Sequence, residues 1–287
     1  MKQALEISAT DGFPLPAILV EPSTSSKGII LLCPGLGIPK EFYERYVDFL
    51  GQQGYTTLVF DYRGINLEDK ELANKDSVNL RNWGIKDMVG ATNWLHQQYP
   101  QQKLYLFGHS IAGQVAGLME NHVLINRYFF FCSTTGHHSV FDASMSAFSW
   151  FMFHVHIPIT SRIFGYMPPS LTYRGVSIAK GVALEWARWS RKRDYISAFF
   201  GKTIEQQYYT DIKKSIDWIY FKDDPIATQK AVGTMMEYYP NATITHHHLT
   251  PTEMGLPRIG HSGFFTRKAE KIWAYPLELI EGKTKYS

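Results

Sequence analysis

A serine stands where an apolar run meets a helical pattern, and its hydroxyl could act as a nucleophile there. Residues 104–113 read LYLFGHSIAG, with Ser110 at the junction. A sharp strand-to-helix turn lifts the hydroxyl clear of the backbone and tolerates only small residues two positions to either side. Gly108 and Ala112 meet this requirement, although the strict pattern has glycine at both positions. The pattern favours a nucleophilic serine over the alternative, a serine that only caps the helix.

A base and an acid for this serine follow it along the chain. A serine hydroxyl needs a base to become a good nucleophile, and the base needs an orienting carboxylate. Asp223 and Asp224 come just after a predicted strand, and His261 lies in a glycine-bounded loop, IGHSG. We predict that Ser110, His261 and Asp224 are catalytic. Asp224 is preferred because it precedes proline and is therefore restricted to an extended backbone, whereas Asp223 could be solvated or brace the loop.

A glycine-rich turn after an earlier apolar run offers backbone donors for a developing negative charge. Residues 33–37 read CPGLG and precede a predicted helix. An oxyanion hole needs two such N–H groups, and we assign them to Leu36 and Ile111. The alternatives are a plain turn and a phosphate-binding loop. The second is disfavoured because the stretch contains neither GxGxxG nor GxxxxGK[ST].

Other titratable residues offer alternative roles. In the run of histidines at 246–248, alternate residues share a strand face, so only His246 and His248 could bind one metal ion. No nearby cysteine or carboxylate completes that ligand set, and we predict no metal site. His109 is expected to pack beneath the serine turn, and the pair at 137–138 either lines the site or belongs to a polar loop. Asp61 precedes the serine and is expected to form a structural turn.

The elements that position these residues alternate between strands and helices. Short β-branched or aromatic runs separate segments of helical period, which is typical of a largely parallel sheet flanked by helices. The first two strands are expected to form a hairpin across a Thr-Asp-Gly turn. The predicted strands are 4–9, 15–20, 28–33, 56–60, 103–107, 127–132, 216–221 and 243–249. The predicted helices are 41–53, 83–98, 110–121, 228–238 and one near the C-terminus.

The alternation breaks between Gly136 and Thr210, where the chain is rich in aromatic residues and methionine and shows no clear strand. Both ends connect to predicted sheet strands, so we predict one domain, residues 1–287, with 136–210 as an inserted lid. The uncharged stretch from Asp142 to Arg162 approaches the length of a membrane span, but serines, histidines and a proline interrupt it. Lid side chains that suggest a hydrophobic substrate, or that merely pack the lid, are Phe148, Trp150, Phe151, Met152, Phe153 and Trp186.

Composition narrows the class of protein. The net charge of +3 arises from 29 basic and 26 acidic residues, so no nucleic-acid partner is expected. A short basic cluster at 188–193 is expected to be a solvated helix face. Cys33 and Cys132 lie in apolar runs and predict buried thiols without a disulfide, which favours a cytoplasmic location. No basic segment followed by an apolar stretch opens the chain, so no signal peptide is expected.

The motifs PGLG, DYRG, GHSIAG, DDPIAT and GHSGFF together resemble the α/β-hydrolase superfamily. More narrowly, nearly the whole chain is similar to a bacterial group of hydrolases described as serine aminopeptidase-like. It departs from the pattern at Ala112 and at Pro34, where many relatives carry histidine. The resemblance implies the α/β-hydrolase fold, with a mostly parallel eight-stranded sheet flanked by helices and a helical lid over the carboxyl ends of the strands. It also implies no metal and no organic cofactor.

These features predict a serine hydrolase that cleaves an ester or related acyl bond of a small molecule through an acyl-enzyme, in the manner of a carboxylesterase or lipase. One alternative is a serine aminopeptidase, which would need acidic lid groups to bind a free amine. Glu185 is the only acidic residue in the lid segment 179–189. Another alternative is a catalytically silent ligand-binding protein on the same fold. The sequence leaves the substrate and the oligomeric state open.

Overall fold

A central sheet of eight strands organises the protein, as seen in a computed structural model that describes residues 1–66, 70–169 and 175–283. The strands are β1 (Lys2–Ser8), β2 (Pro14–Val20), β3 (Ile29–Cys33), β4 (Thr56–Phe60), β5 (Leu104–His109), β6 (Arg127–Phe131), β7 (Tyr166–Met167), β8 (Ile178–Ala179), β9 (Ser215–Phe221) and β10 (Thr243–Leu249). The order across the large sheet is β1-β2-β4-β3-β5-β6-β9-β10. β2 pairs antiparallel with β1 and β4, and all the other neighbours are parallel.

The central strands are apolar along their whole length. Every residue of β3, β4 and β5 is buried, as expected for parallel strands that are covered on both faces. The mostly parallel eight-stranded sheet implied by the resemblance is confirmed. The sequence-predicted bounds of its strands differ from the observed ones by no more than two residues at either end.

Helices fill the crossovers between strands. They are α1 (Glu44–Gln52), α2 (Lys70–Ala73), α3 (Val89–Gln98), α4 (Ile111–Val115), α5 (Ala143–Phe151), α6 (Ile157–Phe164), α7 (Lys180–Ser190), α8 (Gln229–Met236) and α9 (Tyr275–Glu281). The π-helical segment Trp83–Met88 continues into α3. A second π-helical segment, Met152–His156, connects α5 to α6. None of the helices in the described part of the chain combines the length and the hydrophobicity needed to cross a bilayer.

The helix after the serine is shorter than predicted. α4 ends at Val115 and gives way to a 3-10 turn, whereas the sequence pattern predicted a helix as far as residue 121. The aromatic ring of Tyr209 packs directly over Gly117, where an added Cβ would lie 2.1 Å from it. The N–H of Tyr208 also donates a hydrogen bond to the Gly117 carbonyl at 2.7 Å. These contacts replace the next turn of α-helix.

The predicted lid, 136–210, contains α5, α6 and α7, and its residues 170–174 lie outside the described ranges. The prediction of no strand in this segment is wrong in one detail, because β7 and β8 form a two-residue antiparallel pair. Such a short pair leaves no alternating pattern in the sequence. The Ala179 N–H donates to the Gly64 carbonyl at 2.7 Å, which ties the segment to the sheet-bearing body.

Candidate active site

Ser110 occupies a strained turn between β5 and α4. Its backbone angles are φ 53° and ψ −107°, a conformation that side-chain-bearing residues rarely adopt. The Ser110 N–H donates to the carbonyl of Phe131 on β6 at 2.8 Å, which holds the turn against the sheet. The sequence expectation of a sharp turn at this serine therefore agrees with the local geometry.

Close packing explains the small residues around the turn. A Cβ added to Gly108 would lie 3.2 Å from the Ala112 Cβ and 3.1 Å from the Phe130 ring. One of the two flanking positions can therefore carry a methyl group as long as the other does not. The departure from glycine at Ala112 is accommodated because Gly108 leaves the space.

The structure brings the three predicted catalytic side chains into one hydrogen-bonded series. His261 Nε2 lies 2.9 Å from Ser110 Oγ, and His261 Nδ1 lies 2.7 Å from Asp224 Oδ2. Burial alone would raise the pKa of Asp224, but the facing His261 and its hydrogen bonds hold that pKa below its ordinary value. An ionised carboxylate only accepts hydrogen bonds, so Nδ1 carries the proton. Nε2 is then free to accept from the serine hydroxyl.

Asp223 makes contacts different from those of its neighbour. Its carboxylate accepts the N–H of Ile259 at 2.8 Å and the N–H of Gly260 at 3.0 Å. Gly260 has φ 63°, a left-handed conformation that glycine adopts without strain. Asp223 therefore braces the loop that carries His261, which is one of the two alternatives left open by the sequence.

A buried hydrogen-bond chain beneath the serine joins the loop of Gly35 to the loop of His261. Burial, reinforced by the charge of His261, lowers the pKa of His109 to about 3, so its imidazole is neutral. Because a carbonyl only accepts, His109 Nε2–H donates to the His261 carbonyl at 2.9 Å, and Nδ1 accepts from the Tyr43 hydroxyl at 2.7 Å. The Tyr43 oxygen accepts the Gly35 N–H at 2.8 Å. The sequence analysis missed Tyr43, since nothing local marks a contact across 66 positions.

The two predicted oxyanion donors border the same cavity as the serine. Leu36, Ile111, Ser110 and His261 all line it. Ile111 is the first residue of α4, and the first N–H groups of a helix have no acceptor within that helix. The assignment of Leu36 and Ile111 as donors stays a prediction, and it is compatible with their position.

The cavity at the serine is apolar and has a volume of about 250 Å³. The body contributes one wall and the predicted lid the other. The lining residues from the lid are Gly136, Phe141, Met145, Phe148, Ser149, Met152, Phe153 and Trp186. Two of the aromatic residues suggested by the sequence, Trp150 and Phe151, are not among the described lining residues. Their side chains are 48% and 43% exposed.

Comparisons with known sequences point to one family. Residues 24–126 match the family described as serine aminopeptidase, S33. A segment of 99 residues is 32% identical to the probable aminopeptidase YbaC of Bacillus subtilis (strain 168), covering 34% of this chain and 30% of that protein. The chain thus matches less than a third of the length of this curated relative.

Solved structures decide the fold. A soluble variant of the Saccharomyces cerevisiae monoglyceride lipase, in complex with a substrate analogue, superposes with a TM-score of 0.67 at 14% identity, covering 100% of this chain and 96% of the lipase. This chain has the α/β-hydrolase fold. An esterase from Exiguobacterium antarcticum gives a TM-score of 0.60 at 14% identity, with 97% and 100% of the two chains covered. The expected α/β-hydrolase fold is confirmed, and the resemblance to the serine aminopeptidase-like group is confirmed over residues 24–126.

The one acidic residue of α7, in the predicted lid, faces the sheet-bearing body. Glu185 is 1% exposed, and its carboxylate accepts the backbone N–H of Arg81 at 2.9 Å and the Arg81 guanidinium at 2.5 Å. It is not among the described residues that line the cavity. The carboxylate of Glu185 therefore joins α7 to the body through Arg81.

The other candidates from the sequence have structural contacts. The Asp61 carboxylate accepts from the backbone N–H and the ammonium group of Lys40, both at 2.7 Å, as expected for a structural turn. In the histidine run, His247 lies between Asp217, 2.9 Å from its Nε2, and the hydroxyl of Tyr275, 2.7 Å from its Nδ1. The imidazole of His137 contacts the Ser139 hydroxyl within a turn.

Cys132 is a further neighbour of Asp224 and His261 that the sequence analysis did not place there. Potential ligand atoms of Cys132, Asp224 and His261 lie within 4.8 Å of one another, the one such group found in the described ranges. Burial, followed by the charge of Asp224, raises the pKa of the Cys132 thiol well above its ordinary value. A metal that prefers sulfur needs the thiolate, so this donor set suits hydrogen bonding better than metal binding.

Proposed function

We propose that this α/β hydrolase cleaves an ester bond of a hydrophobic small-molecule substrate through an acyl-enzyme on Ser110. The observation that carries the proposal is the hydrogen-bonded series of Ser110, His261 and Asp224, which opens onto an apolar cavity. A nucleophile, a base and an orienting acid at hydrogen-bond distance are the groups that acyl transfer requires.

The chemistry follows from the donors and acceptors at each step. His261 Nε2 takes the proton of Ser110 as Oγ attacks the ester carbonyl. The N–H groups of Leu36 and Ile111 bind the oxyanion, and ionised Asp224 stabilises the imidazolium. His261 then returns the proton to the departing alkoxide, which leaves an acyl-serine. A water molecule, deprotonated by the same Nε2, attacks that acyl group and restores the serine.

The shape of the cavity supports an apolar acyl group. Its wall on the lid side is mainly aromatic residues and methionine, which bind hydrocarbon or aromatic groups without leaving polar atoms unpaired. We propose that segment 136–210 acts as the lid of a single domain and sets the length of the acyl group that fits.

An aminopeptidase is the second candidate, and the names of the family and of the bacterial relative favour it. Binding a free amine calls for a carboxylate near the scissile bond. Among the described residues that line the cavity there is no acidic side chain, and Glu185 is paired with Arg81. This lining supports the esterase over the aminopeptidase.

Turnover of p-nitrophenyl esters with acyl chains of increasing length, beside a panel of aminoacyl amides, tests the proposal. We expect ester turnover and labelling by a fluorophosphonate probe, both abolished in Ser110→Ala, because only a base-activated serine reacts readily with the probe. Ser262→Ala, next to the base but outside the triad, is the matched control and should keep both. Labelling that survives Ser110→Ala, or turnover confined to the amides, would contradict the esterase.

A further inference from the structure

The outward side of the continuous helical arm formed by α5, the π-helical segment Met152–His156 and α6 is apolar and exposed. Of the ten exposed large hydrophobic side chains in the described ranges, seven fall between residues 148 and 166. We name these seven the outer cap face. They are Phe148, Trp150, Phe151, Ile159, Ile163, Phe164 and Tyr166. Ile163 is 70% exposed and Phe164 is 57% exposed, values that ordinary packing within this chain does not explain.

The helical spacing puts much of this apolar surface on one side. Phe148, Phe151, Ile159 and Ile163 recur at helical intervals along the run formed by α5, the π-helical segment and α6. On α6 the opposite side of the run packs inward, where Ile157 and Ser161 are buried. The arm is therefore apolar on both sides, and only one side is covered by the body.

Positive charge borders the outer cap face on the side where Arg162 precedes Ile163 on α6. The chain carries no acidic residue between Asp142 and Glu185. Arg162 of α6, two basic residues of α7 and Arg191 just after α7 line one open cavity of about 450 Å³ beside the face, together with two basic residues of the body. These residues are Arg162, Lys180, Arg188, Arg191, Lys75 and Arg81. The acidic groups nearby are Asp76 on the same cavity and Glu185, which pairs with Arg81 and lies 4.0 Å from the Arg188 guanidinium. Six basic residues thus face two acidic ones, and the rim remains cationic.

The outer cap face adjoins the mouth of the active-site cavity. Phe148 is 41% exposed on the face and at the same time lines the cavity of Ser110. A hydrophobic molecule held against the face would thus meet the entrance to the site without crossing open water.

We propose that the outer cap face docks onto an anionic lipid bilayer. The apolar side chains enter the boundary between headgroups and acyl chains, and the basic rim contacts lipid phosphates. The cationic rim selects this occupant over a second copy of the chain, because a twofold contact through this face would bring two identical basic rims together. The negative surface potential of the cytoplasmic leaflet suits the cytoplasmic location predicted from the sequence. That the docked enzyme takes membrane-dissolved esters rests on the proposed function, but docking itself does not.

Sedimentation with vesicles tests docking without any turnover. Full-length Ser110→Ala is mixed with vesicles of phosphatidylcholine alone or with about one third phosphatidylglycerol, and the blue shift of tryptophan fluorescence is followed in parallel. We expect binding that needs phosphatidylglycerol and weakens with salt. Ile163→Glu with Phe164→Glu should weaken binding at least about tenfold. Val123→Glu, at a side chain 65% exposed outside the cap, should leave it unchanged.

The charge contribution has its own matched pair of variants. Arg188→Gln with Arg191→Gln should weaken binding about tenfold or more, since each cation near an anionic surface contributes about fivefold. Lys213→Gln with Lys214→Gln, just before β9 at the opposite end of the sheet strands, should bind as the parent does. Near-ultraviolet circular dichroism confirms that each variant is folded.

The outcomes separate docking from catalysis. Failure to bind either kind of vesicle overturns the docking surface. An equal loss of vesicle binding in the Ile163→Glu with Phe164→Glu variant and in the Val123→Glu control also overturns it. A dimer in light scattering that dissociates in the Ile163 variant assigns the face to a second copy and also overturns it. Turnover of soluble p-nitrophenyl acetate by the otherwise wild-type enzyme should survive the cap substitutions. Vesicle binding without any ester turnover would contradict the proposed esterase activity and support the docking surface.

Discussion

At the level of single residues, two adjacent carboxylates have different partners and hence different tasks. Asp224 contacts the imidazole that contacts the serine, whereas Asp223 holds the backbone of the loop that carries the imidazole. The first fixes which nitrogen of His261 bears the proton. Asp223 fixes the position of the His261 ring.

Replacing each carboxylate by its amide tests this division. In Asp224→Asn the new amide can donate an N–H to His261 Nδ1, which favours the tautomer with the proton on Nε2. That nitrogen can no longer accept the serine proton, so we expect kcat to fall about 10⁴-fold. Asp223→Asn keeps one acceptor oxygen for the N–H groups of Ile259 and Gly260, so kcat should fall by about tenfold at most. Ester turnover and thermal melting measure both. A crippled Asp223 variant beside a nearly normal Asp224 variant would reverse the assignment.

At the level of elements, the position of α4 depends on a close contact with the π-helical segment before α3. A Cβ added to Gly84 would lie 2.2 Å from the Val115 carbonyl and 2.9 Å from the Leu118 Cβ. Backbone cannot move aside as a flexible side chain can. The approach of these two elements therefore depends on the missing side chain at Gly84 and fixes the helix that follows the serine.

Two glycine substitutions distinguish this contact from ordinary helix propensity. Gly84→Ala should lower the free energy of unfolding by roughly 1–3 kcal/mol, because it overpacks the contact. Gly233→Ala lies in the interior of α8 with open space around the new methyl group, and it should raise that free energy by roughly 0.5–1 kcal/mol. Urea denaturation gives both values. Equal and small effects of the two substitutions would show that the α4 contact is loose.

The elements also show what the sequence could and could not predict. Strands β3 to β6 were predictable because covered parallel strands are continuous apolar runs. The partners of Ser110 were predictable in type, since nucleophile, acid and base follow a fixed chain order on this fold. The contact of Tyr43 with His109 was not, because it depends on tertiary packing. The outward orientation of Trp150 and Phe151 was not either, because this helical arm is apolar on both sides.

At the level of the whole molecule, the predicted lid, 136–210 (hereafter the cap), and the sheet-bearing body share one hydrophobic core. Buried residues of the lid segment, such as Trp189 and Ile196, belong to the same contiguous cluster as the sheet residues. The hydroxyl of Tyr195 in the cap donates to the Gln114 side chain of α4 at 2.7 Å. Opening the lid segment as a unit would expose this core and remove the hydroxyl that donates to Gln114 Oε1. We therefore propose that cap and body unfold together as one domain.

Weakening the link between α7 and the body tests this unity. Glu185→Gln should lower the free energy of unfolding by about 1–3 kcal/mol, since a buried carboxylate that accepts from Arg81 becomes a neutral amide. Arg81 is partly exposed, so water screens the pair and the lower half of that range is expected. Exposed Glu120→Gln is the control and should stay within about 0.5 kcal/mol of the parent. Because the core is continuous, calorimetry should give one transition in each protein, and the melting curves from tryptophan fluorescence and far-ultraviolet circular dichroism should coincide. Two transitions in Glu185→Gln, with the earlier one seen only by fluorescence, would mean instead that the cap melts on its own.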